Sequence, residues 1–185
     1  MSQVQHIDRA YCDQVLAIFN EIIANETALY EYQPRTLTIV NQWFDDKKQN
    51  DWPVIGIVEN GELMGFGSYG SFRAKPAYKY TVEHSVYVHV DARGKGIGKQ
   101  LLTALVKLAK QNGIHNMIGG VDAENVGSAA LHQSLGFVEC SRIKHAGYKF
   151  DRWLDLVFYQ LLLDETRECS QPPHPPTKPY SASTD

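Results

Sequence analysis

The chain has 185 residues, 43% hydrophobic and 21% charged, with a formal net charge of −3 at pH 7. That length and balance suit a single domain with a packed core, and the slight acidity argues against a nucleic-acid partner, whose phosphates require a basic face. Cys12, Cys140 and Cys169 are scattered, odd in number and without a CxxC pair, which argues against a disulfide framework or a zinc site and favours a reducing compartment.

Near the start, His6, Asp8 and Arg9 stand where a secretory leader needs an apolar run, and no stretch approaches the length of a membrane span. The expectation is a cytoplasmic protein with no membrane partner. Residues 4–7 read as a short strand. Val15, Ile18, Phe19, Ile22 and Ile23 then fall at the spacing of one helical face. A second helix is predicted over 36–48, with Thr36 as its N-cap and Leu37, Val40 and Phe44 inward. The link over 26–35, with Tyr30 and Tyr32, reads as a loop. Residues 53–58 and 63–69 form a hairpin about Asn60-Gly61, a strong tight-turn pair.

After a loop with Arg73, Lys75, Pro76 and Tyr78, the valines at 82, 86, 88 and 90, with His84, alternate with Glu83, Ser85, Tyr87 and His89. That is the period of a strand. A glycine-rich basic turn over 91–98 opens a helix with Leu101, Leu102, Leu105, Leu108 and Ala109 inward, ended by Gly113. A strand over 117–121 follows, then a short helix over 126–135 capped by Asn125 and stopped by Gly136. Two last strands lie over 137–142 and 154–162, around a loop at 145–150. The order β-α-α-β-β-β-α-β-α-β-β describes an α/β (α+β) domain over 1–164. Beyond Asp164, five prolines among polar residues predict a disordered or loosely packed tail over 165–185.

The most specific stretch is Arg93-Gly94-Lys95-Gly96-Ile97-Gly98, between a valine-rich strand and an amphipathic helix. Glycines there let main-chain N–H groups converge on one concavity. The helix end adds free N–H groups and a positive dipole, and Arg93 and Lys95 add full charges. Together they suit a pyrophosphate. The pattern is neither a P-loop, since Gln100 follows Gly98-Lys99, nor a G-x-G-x-x-G fingerprint. It is R-x-x-G-x-G.

R-x-x-G-x-G after a strand, opening a long helix, resembles the acetyl-CoA signature of the GNAT superfamily of N-acyltransferases. The resemblance extends over 1–164, and implies a mixed central sheet flanked by helices and acetyl-CoA as co-substrate. A narrower likeness, to the phosphinothricin and methionine sulfoximine acetyltransferases, rests on Thr81-Val82-Glu83-His84-Ser85-Val86-Tyr87-Val88, Leu131-His132, Leu135-Gly136-Phe137, Gly147-Tyr148-Lys149-Phe150 and Trp153-Leu154-Asp155.

Acetyl transfer to an amine requires a base for the amine proton, a held thioester, donors for the developing oxyanion and an exit for the thiolate. Glu83, on the strand leading into the cofactor loop, is the candidate base, and the resemblance gives that position the same role; by itself it also reads as a solvated strand glutamate. The resemblance further implies that this strand splays from its neighbour, so that Val86 and Val88 offer main-chain groups to the pantetheine arm and acetyl carbonyl. Tyr87 is a less favoured proton donor to the thiolate. The resemblance makes His132 a second catalytic candidate, equally readable as a hydrogen-bonded helix histidine. Asn125 would bond the pantetheine as well as cap its helix, and Ser134 would touch the same arm, although by itself it reads as a helix-end serine.

On the substrate side, Arg73 suits a carboxylate through its two-pronged guanidinium. Phe72, Ala74 and Lys75 share its loop, and Tyr78 and Tyr30 could wall a pocket with Phe72. The resemblance adds His84 and Ser85, beside Glu83, at the substrate. His6, His89, His115 and His145 lack ligand spacing, so no metal is expected. The expected activity is direct transfer from acetyl-CoA to the α-amine of a small amino acid such as methionine sulfoximine, methionine sulfone or phosphinothricin, in a homodimer. The alternatives are a protein N-terminus, a polyamine, or a non-catalytic acetyl-CoA sensor; basic residues at 73 and 75 point away from a polyamine.

Overall fold

Each helix forms where its apolar stripe meets the sheet. The computed structural model describes residues 3–164, and the tail expected over 165–185 lies outside them. In α1 (Cys12–Asn25) the stripe Val15, Ile18, Phe19, Ile22 and Ile23 is buried. α2 (Leu37–Gln49) begins where the Thr36 hydroxyl accepts a hydrogen bond from the Ile39 N–H, and it buries Val40 and Phe44. Leu37, expected inward, is 41% exposed, because this helix meets the core only from its second turn. α3 (Ile97–Gln111) buries Leu101, Leu102, Leu105 and Ala109 and ends at Gly113, whose φ of 72° is the left-handed conformation that closes a helix. In α4 (Val126–Ser134) the Asn125 side chain caps the Ser128 N–H.

The strands are β1 (Val4–His6), β2 (Val54–Glu59), β3 (Glu62–Ser71), β4 (Thr81–Val88), β5 (Asn116–Asp122), β6 (Val138–Lys149) and β7 (Arg152–Leu162). Element order follows the sequence prediction. Among the strands one expectation fails: 145–150 is not a loop. β6 runs on to Lys149 and turns over Phe150-Asp151, both at positive φ. The strand carries an irregularity between Ile143 and Gly147, where His145 has φ 51°. A bulge breaks period-two alternation, so the segment reads as a loop until β7 pairs with it.

The sheet order is β1-β2-β3-β4-β5-β7-β6. β4 and β5 are parallel, and every other pair is antiparallel. α1 and α2 cover one face with Phe19, Val40, Phe44, Val54 and Phe66 in their core. α3 and α4 cover the other, over Ile55, Ile57, Tyr69, Val82 and Met117. The decisive feature is central. β4 meets β5 only through Thr81–Asn116, Val82–Met117 and Glu83–Ile118. From His84 onward the two strands part, and a cleft opens in the middle of the sheet.

Candidate active site

The cleft has a volume of about 420 Å³. Glu83, His84, Ser85, Val86 and Tyr87 of β4 line it, with Gly120, Val121 and Asp122 of β5 and Asn125, Ser128, Leu131 and His132 at or in α4. Alternation on β4 separates two kinds of chemistry. Glu83 shares a strand face with Tyr87, whose ring packs on Phe19 at 5.1 Å and Phe66 at 5.4 Å on the α1–α2 side. His84 points the other way, towards α4. Parted strands bring both faces into one cavity.

Glu83 is the residue on which pairing between β4 and β5 ends. Its carboxylate reaches across to β5, where a Cβ on Gly120 would stand 3.3 Å from Oε1. Glu83 keeps an exposed edge, but partial desolvation by the cleft walls pushes its pKa above the ordinary carboxyl value, and the Arg73 charge partly offsets that. A raised pKa makes a carboxylate a stronger base once ionised. Arg73→Ala removes the opposing charge, so the acid limb of the kcat/KM profile should move to higher pH; a limb that stays in place would uncouple Arg73 from Glu83.

His84 and His132 form a buried pair. The His132 Nδ1–H donates to the Ser128 carbonyl at 2.7 Å. Its Nε2 is therefore a bare acceptor, and it meets His84 Nε2 at 3.0 Å, so the proton between them belongs to His84. His84 Nδ1 is left as a buried acceptor without a protein partner. Burial, then the neighbouring imidazole, pushes the His84 pKa down to about 3; burial also lowers that of His132. Both rings are neutral at pH 7, and both ring nitrogens of His132 are engaged within the protein.

The glycine turn stands beside the cleft. Gly94 and Gly96 have φ of 73° and 77°, and Gly96 opens α3. The first main-chain bond of that helix is Gln100 N–H to Gly96 O, which leaves the N–H groups of Ile97, Gly98 and Lys99 without helical partners. A Cβ on Gly98 would touch Leu131 and Val88 at 3.4 and 3.6 Å, which ties the turn to the cleft wall. Ile97 is buried beneath the exposed Lys95. The geometry therefore fits a pyrophosphate cradle of main-chain donors.

Arg93 also has partners within the protein. Its guanidinium donates to Glu21 at 2.7 Å, pairs with Glu26 at 2.5 Å and bonds the Val88 carbonyl at 3.4 Å. Lys95 and Arg93 are both exposed, and Arg93 also pins the turn to the end of α1. Ser134 donates to Leu131 O at 2.8 Å, back within α4, and does not line the cleft.

On the substrate side, Ala28 and Ser71 line the cleft, whereas Phe72, Arg73, Ala74 and Lys75 do not. Arg73, Ala74 and Lys75 are exposed. Phe72 packs against Tyr78 and Phe158. Tyr30 lies elsewhere, its ring against Gly147. It belongs to a segment strapped down by the β6–β7 hairpin. Lys149 donates to the Glu26 and Leu29 carbonyls at 2.7 Å each, and Tyr32 donates to the Tyr148 carbonyl at 2.5 Å.

Two charged lining residues were not expected from the sequence. Asp122 is 4% exposed, with Oδ2 unpartnered. Lys47 comes from the far end of α2. Neither belongs to a motif: Asp122 looks like a strand end, and Lys47 like a cation complementing a helix C-terminus. Cys12 and Cys140 do not line the cleft, and Cys169 lies outside the described residues. Among those residues no three His, Cys, Asp or Glu side chains gather as a metal site, and no helix is long and apolar enough to cross a membrane.

The acetyltransferase (GNAT) family profile matches residues 16–137. The chain is 42% identical to an L-methionine sulfoximine/L-methionine sulfone acetyltransferase of Pseudomonas aeruginosa over 154 residues, 83% of this chain and 90% of that one. It is 40% identical to an L-amino acid N-acyltransferase of Escherichia coli over 160 residues, 86% and 93% of the two chains. A GNAT superfamily phosphinothricin acetyltransferase from Sinorhizobium meliloti, solved in complex with AcCoA, superposes with a TM-score of 0.87 at 31% identity, covering 95% of this chain and 97% of that one. With the parted strands and the glycine turn that opens α3, these matches place the chain in the GNAT family of acetyltransferases.

Proposed function

We propose that the protein transfers acetyl from acetyl-CoA to the α-amine of a small amino acid, of the kind represented by methionine sulfoximine, methionine sulfone and phosphinothricin. The observation that carries this reading is Glu83, a carboxylate with a raised pKa, placed at the point where β4 and β5 part. Acetyl-CoA supplies an acetyl group activated as a thioester. The N–H groups at the start of α3 and the turn over 93–98 hold its pyrophosphate. The main chain of Val86, Tyr87 and Val88, exposed where β5 leaves, holds its arm, and Asn125 faces that arm from α4. Glu83 accepts the proton of the substrate ammonium, directly or through a water, and frees the nitrogen lone pair for attack. His132 fixes the tautomer of His84, beside Glu83 and Ser85 at the amine end. Among the described residues no cysteine lines the cleft, which supports direct transfer. We place the protein in the cytoplasm.

The test is CoA thiol release with acetyl-CoA and L-methionine sulfoximine, against methionine sulfone, phosphinothricin, spermidine and a short peptide. Release with the amino acids and little with the last two is expected. Release only with spermidine or peptide discards the substrate, and silence with acetyl-CoA still bound identifies a sensor.

We also propose a homodimer. β6 is a long edge strand, exposed at nearly every position, and Ile143, Tyr148, Phe150 and Trp153 in its hairpin are each at least 45% exposed. Such an edge is normally paired or covered. Light scattering should give twice the chain mass, and the mass of one chain would refute the proposal.

A further inference from the structure

Lys47 lies in the last turns of α2 and reaches inward to the sheet. Its Nζ donates to the Tyr69 carbonyl at 2.9 Å and stands 3.2 Å from where a Cβ on Gly70 would be. Gly70 is paired with Glu83 across the β3–β4 ladder, and directly paired residues project from the same sheet face. The ammonium thus sits over the strand next to Glu83, on its side of the sheet, and lines the same cleft.

Its surroundings leave it incomplete. The group has three N–H donors and one carbonyl partner. Among the described residues no carboxylate forms an ion pair with it. Trp43 lies 5.6 Å below, and Trp52 flanks Gly70 beside it. Burial, partly offset by the charge of Asp46, pushes its pKa down to about 8, so it remains a cation at neutral pH while only partly solvated. A desolvated charge of this kind is stabilised by an incoming anion. The same cleft carries the Glu83 and Asp122 carboxylates, so it offers both signs of charge, the complement of a zwitterion.

We propose that Lys47 binds the α-carboxylate of the amino-acid substrate, and so turns the amine towards Glu83 and selects amino acids over simple amines. The inference rests on the amino-acid reading above. It adds to Arg73, the exposed partner expected from the sequence, a side chain inside the cleft.

The experiment compares methionine sulfone with its α-amide, in which the carboxylate is neutral, in the wild type and in Lys47→Met and Lys47→Arg, each verified as folded by thermal melting. In Lys47→Met the ratio of kcat/KM for acid over amide should fall by roughly 10- to 100-fold, the scale of one hydrogen bond to a charged group, chiefly through KM. Lys47→Arg should recover part of it. Equal losses on acid and amide would reduce Lys47 to a structural residue, and an unchanged ratio would likewise overturn the proposal. A wild type that ignores both compounds but acetylates another amine would instead overturn the amino-acid reading and this inference with it. If Lys47→Met does not fold, the unaltered protein decides. The Lys47 ammonium resonance should titrate above about 8 when methionine sulfone is added and stay in place with the amide. Movement with neither, or with both, refutes the assignment.

Discussion

Glu83→Gln should lower kcat by at least ~100-fold, the lower range for loss of a positioned base, with acetyl-CoA binding retained. The amide matches the carboxylate in size, so the cleft and the packing against Gly120 are kept, but it cannot accept a proton at neutral pH. The cofactor turn is separate in chain and structure, so Kd for acetyl-CoA reads folding and cofactor binding apart from chemistry. Glu83 works only when ionised. Its raised pKa therefore places the acid limb of kcat/KM above the ordinary carboxyl range, with activity rising as pH rises through it. In the glutamine variant that limb should vanish. Normal turnover would remove Glu83 from the mechanism and turn attention to Asp122, the other carboxylate in the cleft.

Gly119→Ala should damage both stability and turnover. Gly119 lies on β5 beneath the histidine pair. A Cβ there would overlap His132 Nε2 and stand 2.7 Å from His84 Nε2. Neither ring has room to retreat: His132 is stacked on Tyr159 at 5.3 Å and edged by Phe137 at 5.2 Å, and His84 is edged by Phe137 at 5.6 Å. Overpacking of a buried site costs about 1–3 kcal/mol, equivalent to a Tm fall of about 2–12 °C for a domain of this size. Parting the rings also breaks the bond that sets their tautomers and shifts His84 next to Glu83, so kcat should fall in protein that is still folded at the assay temperature. An unchanged Tm would mean that the pair moves freely, and an unchanged kcat would mean that its geometry does not reach the reaction.

The site was legible in the sequence wherever it is made of consecutive residues. The turn over 93–98 could be read because a glycine-rich approach to a helix end is local: its conformations belong to single residues and its donors to one helix. Glu83 stood out because the strand around it alternates cleanly and its flanking residues carry the family likeness. Arg73 was legible as a charge but not as a position. Its loop leaves it exposed near the cleft, acting on Glu83 through space, while Lys47, which resembled any cation at a helix end, occupies the wall. The pairing of Arg93 with Glu21 and Glu26 was hidden for a similar reason. It spans some seventy positions of sequence, and only the packing of α1 beside the turn creates it.

The sequence by itself determined the order of elements, the caps at Thr36 and Asn125, the Asn60-Gly61 turn, the helix stop at Gly113 and the glycine-rich turn that opens α3. All of these follow from residue conformation and from apolar periods of two or 3.6, which act within a few residues. Beyond the β2–β3 hairpin, only the tertiary structure decided which strand lies beside which. Insertion of β5 between β4 and β7, and the parting of β4 from β5 after Glu83, open the cleft and bring His84 to His132, Asp122 to the wall and Lys47 over Gly70. Those contacts depend on sheet order and long-range packing, for which a single chain of letters carries no local signal.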